Sequence, residues 1–230
     1  MMRTLPALFF ASFVFAGTAA AQVQPGQVLQ CHMMGFASLP AQGERLEFPE
    51  HGFSVIPPTG NQWCLAARDA AGMMIYGDER INTRIWTRPT QEDLLHTLFL
   101  VVSAVDISSE KIDSIAGLRS FAKRLFGSGG RHELKEGRFE SDASFGAECV
   151  RADLSHVEKD NPRAAGRTLI TLLRPIVVCR HPHAVPTKVI QLGASERYLA
   201  GQRTGVLLDA RKAEIDAFVG SLLFYAPAAR

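Results

Sequence analysis

Strong charge is missing from this chain. Its 25 Lys and Arg stand against 23 Asp and Glu, a formal net charge of +2 over 230 residues. So small a balance exerts no long-range pull on nucleic acid or on an acidic membrane surface. The basic residues Lys123, Arg124 and Arg131 form too small and too interrupted a cluster to change that. Catalytic signatures are missing as well. There is no Walker loop, no dinucleotide fingerprint and no calcium loop. The stretch "GASER", 193–197, begins like a nucleophile elbow, but Arg197 stands where the second glycine belongs. The stretch "HELKE", 132–136, lacks the second histidine of a zinc protease motif. The glycine-rich "GSGG" at 127–130 leaves a predicted helix instead of opening one, which makes it a linker and not a phosphate cradle. Asp106 and Glu110 fall in a polar stretch after a strand and read as solvated loop. No internal repeat and no low-complexity tract follows the first 21 residues, and no cofactor is expected.

Long apolar runs are also scarce. Past residue 21 none approaches the length of roughly 20 residues that a membrane span needs. The run that does exist opens the chain. Arg3 precedes the apolar stretch Leu5–Ala16, and Ala19, Ala20 and Ala21 end it. A basic start, a short apolar core and an A-x-A ending are the parts of a secretory signal peptide, with the cut expected between Ala21 and Gln22. A lipoprotein anchor needs a small residue before its cysteine, and Gln30 precedes Cys31. The expected organisation is a signal peptide over 1–21, a Gln-, Gly- and Pro-rich leader over 22–43, and one domain over 44–230. Hydrophobic residues at 47% are enough for a packed core. A mature chain of this length buries about 70% of its unfolded surface. Export places the protein in the periplasm or outside the cell.

Periodicity predicts the elements. Pro49, Pro57–Pro58, Gly60–Asn61 and Gly72 separate short apolar runs, read as strands near 45–48, 52–56, 62–67 and 73–76. The stretch 96–107 is rich in Val, Leu and Phe and reads as a buried strand. Thr90 with Asp93 three residues on resembles a helix start of one turn at most. In 113–127, Ile115, Leu118, Phe121, Ala122, Leu125 and Phe126 fall on one helical face. Asp113 or Ser114 can cap that helix and Gly127 can end it. Two long strands, 143–158 and 166–181, flank "KDNPRAA", where Asn161–Pro162 signals a turn, so they should form an antiparallel hairpin. A further strand is expected at 188–198 and a closing helix at 209–224. Strands in bulk with two helices, not alternating as βαβ units, argue for an α+β domain. The expected architecture is a central antiparallel sheet flanked by the two helices.

Four cysteines are present: Cys31, Cys64, Cys149 and Cys179. An even count in an exported chain favours disulfides over free thiols. With the hairpin turn near 162–166, residues that face each other have numbers adding to roughly 328. Cys149 and Cys179 meet that condition and are the predicted disulfide. Cys31 with Cys64 would be the remaining pair, and nothing local supports it. The segment "IVVCRHPH", 176–183, also carries His181 and His183, which share a face on an extended strand. Two histidines can begin a zinc or copper site, but a site needs three or four ligands, Cys179 has Cys149, and Pro182 ends the strand. The pair is therefore read as exposed histidines on a turn, with no metal. On the same numbering His156 would face Leu172, while His51 and His32 cannot be placed. Trp63 and Trp86 read as core or surface anchors.

The order of parts resembles the PsbP-like fold. Carrying the resemblance are "GFSVIPPTGNQW", the long strand at 96–107, the helix at 113–126, the long hairpin, the strand before "SERY" and the terminal helix running into "SLLF". It covers about 44–224. The chain also resembles uncharacterised exported bacterial proteins that carry segments similar to "ECVRAD" and "CRHP". The resemblance implies a central antiparallel sheet with helices on its sides, and an accessory or binding role in a larger assembly instead of catalysis. It implies no site residue. Two functional readings result: an exported binding or accessory module that meets a protein partner, or a small metal-binding protein or enzyme that uses the His181/His183 end.

Overall fold

Residues around 149–158 and 169–180 alternate apolar side chains over two long stretches, and the hairpin they form organises everything else. The computed structural model describes residues 36–38, 44–58, 63–66, 80–89, 95–107, 112–129, 131–161, 164–184, 188–201 and 206–227. In chain order the elements are β1 (Phe36–Ser38), β2 (Leu46–Phe48), β3 (Phe53–Val55), β4 (Cys64–Ala66), β5 (Arg80–Pro89) and β6 (Thr97–Asp106). Then come α1 (Ile115–Leu125), β7 (His132–Asp142), β8 (Cys149–Glu158), β9 (Leu169–Arg180) and β10 (Lys188–Leu199). The chain closes with α2 (Val206–Ala210), α3 (Lys212–Gly220) and β11 (Leu223–Phe224). Strands dominate and helices are few.

The main sheet has eight strands in the order β1-β4-β5-β6-β10-β9-β8-β7, and a second sheet has three, β11-β3-β2. Their pairings are antiparallel throughout. Both faces of the main sheet bury apolar side chains, because alternate residues of β6, β8, β9 and β10 are apolar on each side. One face gathers Leu98, Leu100, Val102, Cys149, Val177, Cys179, Ile190 and Leu192 against Phe53, Val55, Ile215 and Phe218. The other gathers Val150, Ala152, Leu154, Ile176 and Val178 against Leu118, Phe121 and Ala122 of α1. The second sheet and α3 thus cover one side, and α1 covers the other.

The packing of α1 follows from its sequence. The Ser114 hydroxyl accepts the Gly117 amide at 3.2 Å, which caps its start. Lys123 and Arg124 sit in the last turn, where cations complement the helix dipole. The second sheet is fastened to α3 through polar contacts. Arg45 donates to Ser221 O at 2.7 Å and to Ser54 Oγ at 3.1 Å, and the Ile56 amide donates to Ser221 Oγ at 2.8 Å.

A break in β9 shapes the sheet. Ala152 faces Ile176 but Leu154 faces Leu173, so β9 carries one residue more than its partner there. The same shift occurs against β10, between Gly193 and Ser195. The extra residue is a β-bulge at Arg174–Pro175, where a proline without an N–H costs no ladder bond. Its effect shows in the two cores. Leu172 and Val177 point to one face and Leu173 and Ile176 to the other, an exchange of parity that only an inserted residue produces.

Several elements differ from the sequence reading. The expected closing helix at 209–224 is two short helices, and Leu223 and Phe224 leave it to pair with Ser54 and Phe53. The short strands β2 and β3 belong to a separate sheet and not to the central one. Strands β1, β5 and β7 were not expected, and β1 lies inside the segment 22–43 that was read as a leader. The sequence of β7, "HELKEGRFESD", is polar on both sides because this strand forms an edge, where charge discourages pairing with other chains. The strand expected at 73–76 and the helix start at 90–93 lie outside the described residues.

Candidate functional site

The end of the β8–β9 hairpin far from its turn is where the predicted site residues fall. Cys149 faces Cys179 directly in the register, their Cα atoms lie 4.0 Å apart, and they form a disulfide. Both are fully buried, so the bridge is shut off from solvent thiols and serves the structure. Nearer the turn the bulge moves the register by one: His156 faces Thr171 and not Leu172. Cys64 is also disulfide-bonded and buried. Cys31 and His32 lie outside the described residues.

His181 and His183 are not alike. His183 is exposed on the turn, as expected, but His181 is only 3% exposed. His181 continues the face of Cys179 and packs edge-on against Phe224, ring centroids 5.1 Å apart. Its Nε2 lies 2.8 Å from Gly52 O, and its Nδ1 lies 3.1 Å from the His183 amide nitrogen. A carbonyl only accepts and a backbone N–H only donates, so Nε2 carries the proton and Nδ1 is the bare acceptor. The ring is neutral in this arrangement, and burial pushes its pKa below the ordinary histidine range, with His183 and Lys188 nearby adding to the effect. Both nitrogens are engaged, so the ring could bind a metal only by giving up a hydrogen bond. Among the described residues, no group of three or more His, Cys, Asp or Glu side chains is placed to hold a metal ion.

Two histidines that look equivalent in sequence should therefore respond differently to mutation. His181→Ala is expected to cost about 1–3 kcal/mol, because it removes a buried ring packed on Phe224 together with its hydrogen bonds to Gly52 O and the His183 amide. His183→Ala should stay within about 0.5 kcal/mol, because its side chain is exposed, its hydrogen bond to His181 is made by the backbone, and only an edge-on ring contact at 6.1 Å is lost. Chemical denaturation of the two variants checks this, and equal effects would remove the distinction.

A second polar cluster lies inside the main sheet. Glu196 of β10 is completely buried. One of its oxygens lies 2.8 Å from His96 Nε2, and the other accepts the Leu208 amide of α2 at 3.0 Å. The Tyr198 ring meets His96 edge-on at 6.3 Å. Glu196 belongs to "GASER", which lies within β10, where a strand was expected at 188–198. The signal for it was available: Ile190, Leu192, Ala194, Glu196 and Tyr198 alternate in the apolar register of β10, which sends a carboxylate into the core. Buried charge of this kind must be paired, and here the histidine and a helix amide do it.

Other charged and aromatic groups have structural tasks. The Trp63 indole donates to Glu214 at 3.0 Å and is buried in the core. His156 donates from Nε2 to Phe126 O at 2.7 Å, and burial pushes its pKa down too. Glu158 is buried, accepts from the Asn161 side-chain amide at 2.8 Å and lies 3.3 Å from Arg131. "HELKE" is part of the edge strand β7, and the glycines at 127–129 lead from α1 toward it, as a linker does. The side chain of Trp86 lies outside the described residues, as do Glu110 and the Asp106 side chain. No helix among the described residues is long and apolar enough to cross a membrane. No protein-family model matches the chain, and no curated protein matches it.

Proposed function

We propose that this protein is an exported, disulfide-braced binding or accessory module that meets a protein partner. The observation that carries the reading is how the buried ionisable groups are used. Among the described residues, Glu196 and His181 sit apart from each other and from His156 and Glu158, which share a face of β8, and each of the four is tied to backbone or to a neighbouring side chain. An active site would bring such groups together around a cleft with their reactive atoms facing it. Groups spread through the core and spent on hydrogen bonds suit a rigid scaffold. Export rests on two supports. The opening pattern of Arg3, apolar run and Ala19–Ala21 is that of a cleaved leader, and a buried disulfide is at home in an oxidising compartment. The organisation we propose is accordingly a leader removed near Ala21–Gln22, a linking segment and one domain, which takes in not only 44–230 but also β1 (Phe36–Ser38), paired to β4 at the edge of the main sheet. The order of elements, resembling the PsbP-like fold with its helix-flanked sheet, points the same way.

One experiment tests compartment and role together. The tagged protein is recovered from the periplasm of its own host and sized under non-reducing conditions with mass analysis. The expected result is a chain beginning at or near Gln22, held in a complex of defined stoichiometry with another protein. A chain still starting at Met1 in the membrane fraction would remove the export reading. A free monomer at native abundance that turns over a substrate, with loss on His96→Ala, would replace the binding role by an enzymatic one.

A further inference from the structure

Gly52 is the meeting point of three segments remote in sequence. It sits in the turn between β2 and β3 with φ of 69°, a left-handed conformation that glycine adopts without strain. Its carbonyl takes the His181 Nε2–H at 2.8 Å and also the Tyr225 amide at 2.8 Å. A side chain here would find no room, since an added Cβ would lie 2.5 Å from Tyr225 O and 2.8 Å from His181 Nε2. The end of β9, the β2–β3 turn and the chain after β11 are therefore joined through one carbonyl. The tail segment itself is held lightly. Strand β11 has two residues, its Leu223 is more than half exposed, and Tyr225 adds a hydroxyl bond to Phe53 O at 2.8 Å.

We propose that His181 is an acid-released latch, which fastens the β2–β3 turn and the strap Leu223–Pro227 over the end of the main sheet. The latch needs Nδ1 bare, because the His183 amide donates to it. Protonation puts a second N–H against that amide, and two donors repel where one bond existed. It also places a positive charge on a ring packed against Phe224. The ring must then turn or leave its pocket, and either movement gives up Gly52 O. Burial already lowers its pKa, so the sign of the effect is set. Near and below about 6.5 the unfolded chain binds the proton more readily than the folded one. The latch contributes fully above that value and is lost as pH falls through the folded-state pKa. The titratable and charged groups around it are His183 and Lys188 beside β9 and β10, Glu47, Glu50 and His51 of the β2–β3 unit, and Tyr225 of the strap. The Tyr225 hydroxyl, with its pKa pushed up to about 12, plays no part in this range.

Native-state hydrogen exchange of the oxidised protein tests the proposal. Protection factors are read from pH 8 down to pH 5 for the Tyr225 amide and for core amides such as Val178. The latch predicts a several-fold loss of Tyr225 protection on acidification while Val178 stays protected. His183→Gln should keep that step, with its midpoint moved at most slightly, since the backbone amide makes the hydrogen bond to the ring and the side chain adds only an edge-on contact at 6.1 Å; His181→Gln should abolish it, since an amide does not titrate. If His181→Gln does not fold, the wild-type histidine is followed directly by NMR, and its ring signals must titrate with the same midpoint as the Tyr225 amide. Tyr225 protection that parallels Val178 at every pH, a step that persists in His181→Gln, or different midpoints for ring and strap would each overturn the latch.

Discussion

Replacing Cys149 and Cys179 together by alanine is expected to lower stability by about 3.6 kcal/mol. The bridge spans a sequence separation of 30 residues. In the chain-entropy account a loop of that size restricts the unfolded ensemble by about this amount. The loss is not offset by relaxation of the fold, because β8 and β9 stay paired through their ladders and the cysteine sites are fully buried. For a domain of this size such a change shifts the melting temperature by roughly 10 °C. Thermal unfolding of oxidised wild type and of the double variant gives the measurement. A double variant that melts with oxidised wild type would show that the bridge does not restrict the unfolded chain.

Gly193→Ala is expected to destabilise by about 3 kcal/mol or more, with a methyl group as the only addition. The bulge in β9 brings the Pro175 carbonyl across the strand pair, and a Cβ on residue 193 would lie 2.2 Å from that oxygen. It would also lie 2.9 Å from the Ile176 Cα and 2.6 Å from its Cδ1. Two of these atoms are backbone held in a ladder with neighbours on both sides, so they cannot step aside as a flexible side chain can. The comparison is Gly220→Ala, at the end of α3, where an added Cβ meets nothing within 4 Å. That change should be neutral or stabilising by up to about 1 kcal/mol. Urea unfolding of both variants decides the matter. Equal effects at the two positions would mean that glycine flexibility, and not the close approach of β9, explains residue 193.

The two cases show where local pattern was sufficient and where it was not. Cys149 and Cys179 could be paired from the sequence because an antiparallel hairpin turns residue numbers into positions. The same arithmetic failed for His156, because β9 holds one extra residue at the Arg174–Pro175 bulge; Pro175 marked the place, but the count took the ladder as unbroken. Helix α1 was legible from the spacing of Leu118, Phe121 and Ala122 and from its Ser114 cap. Strand β7 was not, because an edge strand buries little and so shows little alternation. The expected closing helix broke because Leu223 and Phe224 gain more by pairing with β3 than by continuing a helix with few partners. That choice depends on a strand about 170 residues away and leaves no local mark.

The candidate site divides in the same way. Sequence brought Cys179 and His181 to one face of one strand, since alternate residues of a strand point the same way. It also held the information for Glu196, whose place in the apolar register of β10 required a buried partner. The roles of His181 and His183 were settled only by the fold. Two residues apart in sequence, they differ because the Gly52 carbonyl and the Phe224 ring arrive from the two ends of the domain to cover one of them and not the other. Periodicity and cysteine count are short-range properties, and they determined the long buried strands β6, β8, β9 and β10, the main hairpin and its disulfide. Burial of a particular side chain is a long-range property, and it was decided when the second sheet closed over the first.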